Sequence, residues 1–143
     1  MSHSSYKHEF VTAFPDRLEE GILYVSVEFG TSAHRCFCSC GQEVYSRFSP
    51  RDWAMTFDGE TVSLWPSIGN WSFPCQSHYI LKKGQVQWAD KWSREEIEYG
   101  RAADRDRKAR HYGTEAAARK APLPALAPAK GIFAGFLAWL SGR

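Results

Sequence analysis

Four cysteines and two histidines fall into two short clusters, and they constrain the fold of this 143-residue chain more than any other feature. The first cluster reads His34-Arg-Cys36-Phe-Cys38-Ser-Cys40-Gly41 and the second Pro74-Cys75-Gln-Ser-His78. Where thiols are kept reduced, cysteines so spaced are metal ligands or reactive thiols rather than disulfides. On a straight strand alternate side chains stand roughly 6.5–7 Å apart. Zn–S bonds of about 2.3 Å need them closer, so the chain must curl into a knuckle. Gly41 is where that curl is easiest, because glycine takes a positive φ without steric cost. In the second cluster Pro74 stiffens the entry, and the two-residue gap lets one turn present both Cys75 and His78. Six ligands are on offer for four positions. Cys38, Cys40, Cys75 and His78 rank first, Cys36 next, and His34 last, as a group that could instead support a ligand. One zinc is the expected cofactor.

The stretches around these clusters read as short strands. Leu23-Tyr-Val-Ser-Val-Glu-Phe alternates as a half-buried strand does, and Gly30-Thr31 turns it toward the first cluster. Glu43-Val-Tyr-Ser-Arg-Phe follows Gly41. Asp58-Gly59 between Met55-Thr-Phe and Thr61-Val-Ser-Leu-Trp predicts a hairpin, and Lys83-Gly84 between His78-Tyr-Ile-Leu and Gln85-Val-Gln-Trp predicts another. Ser93 followed by Glu96 has capping-box spacing and predicts a helix over 93–112 with Gly113 as its C-cap. The expected class is α+β: a small antiparallel sheet around one zinc site, with a C-terminal helix. Residues 1–113 would form the zinc-binding domain and 114–130, rich in Ala and Pro, a linker. Residues 131–143 would form a short amphipathic helix. Such a helix is too short to stand alone in water and should dock on its own domain, a second copy or a partner enzyme, with a membrane interface ranked last.

Charge excludes one class of partner. Lys and Arg number 18 against 16 Asp and Glu, far from the basic excess of a dedicated nucleic-acid binder. Acidic side chains outnumber basic ones up to Asp90, and basic ones dominate from Lys91 onward. The longest apolar run, Gly131 to Leu140, is about half of the roughly 20 residues that a membrane helix needs, and the polar start does not read as a signal peptide. A cytoplasmic protein without a membrane span is the expectation.

Other zinc chemistries fit less well. Zinc deaminases pair His-x-Glu with Pro-Cys-x-x-Cys, and here the glutamate that would move protons is missing from His34-Arg-Cys36. Two interleaved zinc sites need eight ligands. Covalent catalysis by Cys75 or Ser77 with His34 or His78 ranks below metal ligation, since a thiol among such neighbours is more often a ligand. For a zinc-bound water the nearest bases in sequence are Glu43, Asp58 and Glu60, all readable as solvated carboxylates. Gly69-Asn70 could form a turn whose amides bind a peptide carbonyl. Trp53, Trp65 and Trp71 read as core.

The run Val62-Ser-Leu-Trp-Pro-Ser-Ile-Gly-Asn-Trp-Ser-Phe-Pro-Cys-Gln-Ser-His-Tyr79, with His34-x-Cys-x-Cys-x-Cys-Gly41, resembles a bacterial family of zinc-binding proteins encoded in ubiquitin-like conjugation operons of the Bub type. Such genes sit beside those for ubiquitin-like, activating-enzyme-like and conjugating-enzyme-like proteins, often in antiphage defence islands. The resemblance covers about Phe10 to Tyr112; where this chain has Ser39, members of that family usually have glycine. It implies a zinc-dependent peptidase that processes or releases the ubiquitin-like modifier, with that modifier and its activating and conjugating enzymes as partners. The alternative is a closed zinc module that recruits those partners and catalyses nothing.

Overall fold

A computed structural model describes residues 1–120. Among the described residues the order is β1 (Lys7–Phe10), β2 (Ile22–Ser26), β3 (Thr31–Arg35), β4 (Glu43–Arg47), β5 (Ala54–Phe57), β6 (Val62–Gly69), β7 (His78–Lys82), β8 (Gln85–Trp88) and α1 (Arg94–Lys120). The chain is α+β as expected, but the strands form two four-stranded sheets, β1-β2-β3-β4 and β5-β6-β7-β8, rather than one. All neighbours are antiparallel except β1 and β2, where Lys7 pairs with Ile22 and Phe10 with Val25 in parallel.

The two sheets share one core. Leu23, Val25 and Val44 from the first meet Val62, Leu64, Ile68, Tyr79, Leu81 and Val86 from the second, with Tyr6, Cys36 and Phe37 between them. Strand β4 alternates buried and exposed residues, the period of a sheet with one wet face. Strand β2 does not, because its other face is covered too: Tyr24 packs with Leu18 and Ala33 in a smaller cluster.

Turn chemistry places the strands. At the β7–β8 hairpin Lys83 and Gly84 take φ of 49° and 74°, the two positive values that a two-residue type I′ turn demands. The β5–β6 hairpin is there as well, closed by a wider loop than Asp58-Gly59 alone. The Asp58 carboxylate accepts from the Glu60 and Thr61 amides at 3.0 and 2.7 Å and from the Thr61 hydroxyl at 2.8 Å. These bonds hold Asp58 ionised down to a pKa of about 2.

The capping box forms: the Ser93 amide donates to Glu96 Oε2 at 2.7 Å and the Glu96 amide to Ser93 Oγ at 3.2 Å. The helix does not stop at Gly113 but runs to Lys120. Glu115-Ala-Ala-Ala-Arg-Lys are strong helix formers, and one interior glycine costs only about 1 kcal/mol against alanine. The described residues divide into two compact units at Arg105; the first, residues 1–105, holds both sheets. In the second, the Thr114 hydroxyl donates to the Arg110 carbonyl at 2.8 Å and His111 lies 3.2 Å from Glu115. The rest of the expected linker and the helix at 131–143 lie outside the described residues.

Candidate active site

Strand β3 ends at Arg35, and the chain then curls tightly through the cysteines. The Cys36 amide donates to the Gln42 carbonyl at 2.8 Å and the Ser39 amide to the Cys36 carbonyl at 3.0 Å. Ser39 and Gly41 take φ of 66° and 84°, so the knuckle uses a left-handed residue at the position where a serine replaces the expected glycine. The Ser39 hydroxyl donates to the Met1 carbonyl and ties the chain start to that turn. Cys75 arrives from the loop between β6 and β7. Its Sγ stands 4.0 Å from Cys36 and 3.7 Å from Cys40, and Cys36 stands 3.3 Å from Cys38.

All four Sγ atoms lie within 4.8 Å of one another. Tetrahedral zinc with Zn–S bonds of about 2.3 Å sets its sulfurs about 3.8 Å apart, so the cluster fits an ion held by four thiolates with little adjustment. The thiols compete for negative charge. Burial, and then the bond to Cys36, pushes the Cys38 thiol far up. At Cys75 burial acts the same way but is outweighed by hydrogen bonds from the Ser77 hydroxyl and amide and from Cys38 and Cys40, bringing that thiol down to about 7.

Neither histidine of the expected ligand set joins this group. His34 is fully buried, stacks on Phe37 at 4.7 Å, and meets the Tyr79 hydroxyl through Nε2 at 2.8 Å. Burial pulls its pKa down to about 3, which keeps the ring neutral. It supports the cluster indirectly. The Asn70 carboxamide donates to the Ser77 hydroxyl at 2.9 Å and to the Tyr79 hydroxyl at 3.2 Å, and the Ser77 hydroxyl stands 3.1 Å from Cys36 Sγ. The Asn70 amide also donates to the Ser77 carbonyl at 2.9 Å, so it is engaged within the fold rather than presented to a ligand.

His78 faces a different group altogether. Its Nε2 lies 2.9 Å from Ser67 Oγ and its Nδ1 lies 2.8 Å from the main-chain carbonyl of Asp90. A carbonyl oxygen can only accept, so Nδ1 carries the hydrogen. In the neutral ring Nε2 then offers a lone pair, and the Ser67 hydroxyl donates to it. This is the tautomer that a general base needs. The contact arises from an irregularity in β6. Leu64 pairs with Leu81 and Ile68 with Tyr79, so three residues, Trp65 to Ser67, stand opposite Ile80 alone. Extra residues in one strand bend it and re-aim a side chain. Here the one re-aimed is Ser67, next to a Trp65–Pro66 peptide that is cis.

The carboxylates considered as bases stand elsewhere. Glu43 accepts from the Tyr45 hydroxyl at 2.9 Å on β4, Asp58 closes the β5–β6 loop, and Glu60 is exposed beside it. Of the tryptophans, Trp53 packs against the core, whereas Trp65 is 69% exposed. Trp71 packs on His78. Ser67 is the residue that reading the sequence passed over. Its only local signal was a place inside Pro66-Ser-Ile-Gly-Asn, and its partner comes from a neighbouring strand.

A family model described as bacterial ubiquitination-like system serine protease (BubE) matches residues 10–89, more than half of the chain. The chain belongs to the BubE family. The matched span holds all four cysteines, Ser67 and His78, and ends one residue before Asp90. The family's description names a serine protease, whereas the expectation from sequence was a zinc peptidase. The matched span includes Ser67, whose hydroxyl stands beside His78. No curated protein and no solved structure matches the chain. No helix among the described residues is long and apolar enough to cross a membrane.

Proposed function

We propose that this BubE-family protein is a serine peptidase in which Ser67 is the nucleophile and His78 the general base, acting on a ubiquitin-like modifier of its own conjugation system. The single observation that carries this reading is the Ser67–His78–Asp90 carbonyl relay, with both links below 3 Å. Ser67 Oγ bonds to the scissile carbonyl carbon while its proton passes to His78 Nε2. The peptide C–N bond then breaks, and the same proton leaves with the amine. Water repeats the cycle on the acyl-serine, giving Ser67 back and a free carboxylate. The Asp90 carbonyl holds the imidazole in its working tautomer throughout.

In this reading the four thiolates, not His34 or His78, are the zinc ligands. Four thiolates would fill a zinc tetrahedron, so the ion would cross-link the Cys36–Cys40 turn to the Cys75 loop rather than supply an activated water. Cys75 lies three residues before His78, which makes the metal a support for the base. The modifier and the activating and conjugating enzymes of the system remain the proposed partners, in the cytoplasm.

A fluorophosphonate tests the nucleophile without knowledge of the substrate. Mass mapping should place the adduct on Ser67. Ser67→Ala and His78→Ala should each cut labelling by at least about 1000-fold, since members of such a unit are not separable. Incubation with the modifier should then yield a C-terminally trimmed or released product with the native chain and none with Ser67→Ala. A folded protein labelled elsewhere, or not at all, overturns the assignment. An intact modifier that is still retained in pull-down replaces it with the adaptor reading.

A further inference from the structure

Proton transfer from Ser67 turns His78 into a cation, and serine hydrolases commonly meet that cation with a carboxylate. Here the ring meets a neutral main-chain carbonyl instead, and none of the ion pairs found among the described residues involves His78. What does surround the ring is indole. The Trp71 ring lies 5.0 Å from that of His78, centroid to centroid, with the two planes at 57°; Trp92 lies 5.4 Å away, its plane crossing that of the imidazole at 72°. The two indoles stack on each other at 5.4 Å and 21°. His78 itself is only 7% exposed.

The arrangement is built for closeness. A Cβ on Gly69 would overlap Trp71 Nε1, and one on Gly100 would sit 2.9 Å from Trp92 Cζ3. Neither contact is allowed for a real side chain, so each tryptophan occupies room that a glycine leaves free. Gly69 lies on β6 opposite His78, and Gly100 lies on α1. A cation within about 6 Å of an indole centroid is attracted by the negative face of the ring, more strongly when it is out of water.

We propose that Trp71 and Trp92 are positioning residues that stabilise the His78 imidazolium through their π faces, in the place where a triad would use a carboxylate. This rests on His78 acting as the base of Ser67. The consequence is electronic as well as steric: drawing electron density out of the indoles slows the step that creates the cation, even when shape is kept.

The test uses the full chain, with tryptophan at position 71, and separately at 92, replaced site-specifically by mono-, di- and trifluorotryptophan. The readout is the rate of fluorophosphonate labelling at Ser67. In that step the Oγ–P bond forms, the P–F bond breaks and the hydroxyl proton goes to His78 Nε2. The logarithm of the rate should fall stepwise with each fluorine at 71, reaching about a tenfold loss at the third, with a smaller slope at 92. Trp71→Leu should lose about tenfold to thirtyfold while still folding. A rate unchanged across both fluorine series, with Ser67 labelled throughout, overturns the proposal and leaves the dyad standing. Failure of the native chain to label at Ser67 removes both readings together.

Discussion

Asn70 holds both neighbours of His78. One carboxamide nitrogen donates to Ser77 and Tyr79, on either side of His78, and so fixes the strand that aims the imidazole. Replacing it with alanine leaves two buried hydroxyls short of a donor; a loss of about 1–3 kcal/mol in urea unfolding is expected, together with slower Ser67 labelling. Asp58 gives a prediction in pH. Its folded pKa of about 2 lies below the ordinary aspartate value of 3.8, so its contribution is complete above pH 3.8 and disappears as pH falls through 2. A carboxyl-carbon NMR titration should find that low midpoint, and Asp58→Asn should abolish the acid-dependent loosening of the β5–β6 loop. That the four cysteines gather was legible because spacing alone restricts where thiols can go. Ser67 was not, because its partnership depends on a three-against-one irregularity between strands. His78 was recognised as chemical but assigned to Cys75 by nearness in sequence, whereas its side chain reaches Ser67 and the Asp90 carbonyl.

Among the elements, β6 and α1 carry the clearest predictions. A methyl at Gly69 would strike the indole of Trp71, so Gly69→Ala should displace that ring and cut Ser67 labelling by an order of magnitude or more. Gly113 is the opposite case: nothing stands within 4 Å of its would-be Cβ, and the helix continues through it. Gly113→Ala should gain about 1 kcal/mol of helix stability, visible as slower amide exchange around it. The hairpins were readable because Asp-Gly and Lys-Gly turns announce themselves locally. Strand β1 was not, since three of its four residues are exposed and its parallel partner supplies no turn signal. Two sheets in place of one escaped notice for a related reason: each hairpin is written locally, but nothing local says which hairpins share a sheet.

At the scale of the molecule the four-cysteine cluster brings the first sheet's Cys36–Cys40 turn against a loop of the second, where a bound ion would tie the two. Metal binding across such a distance in sequence becomes folding stability. Protein purified without added metal should carry about one zinc per chain, read by elemental analysis. A strong chelator should lower its melting temperature, and Cys75→Ser should impair both metal content and folding. His78→Ala should keep the metal while losing labelling, which separates the two sites in one experiment.

The groups proposed to react, Ser67, His78 and the Asp90 carbonyl, all come from one continuous stretch, while three of the four clustered cysteines lie upstream of the Ser49–Asp52 turn. Cutting the backbone at that turn would therefore divide labour cleanly: one fragment owns the chemistry, the other most of the grip on the ion. Mixed together, the halves should regain hydrolytic competence only when zinc is supplied, so that the metal would serve as the clasp of a split enzyme.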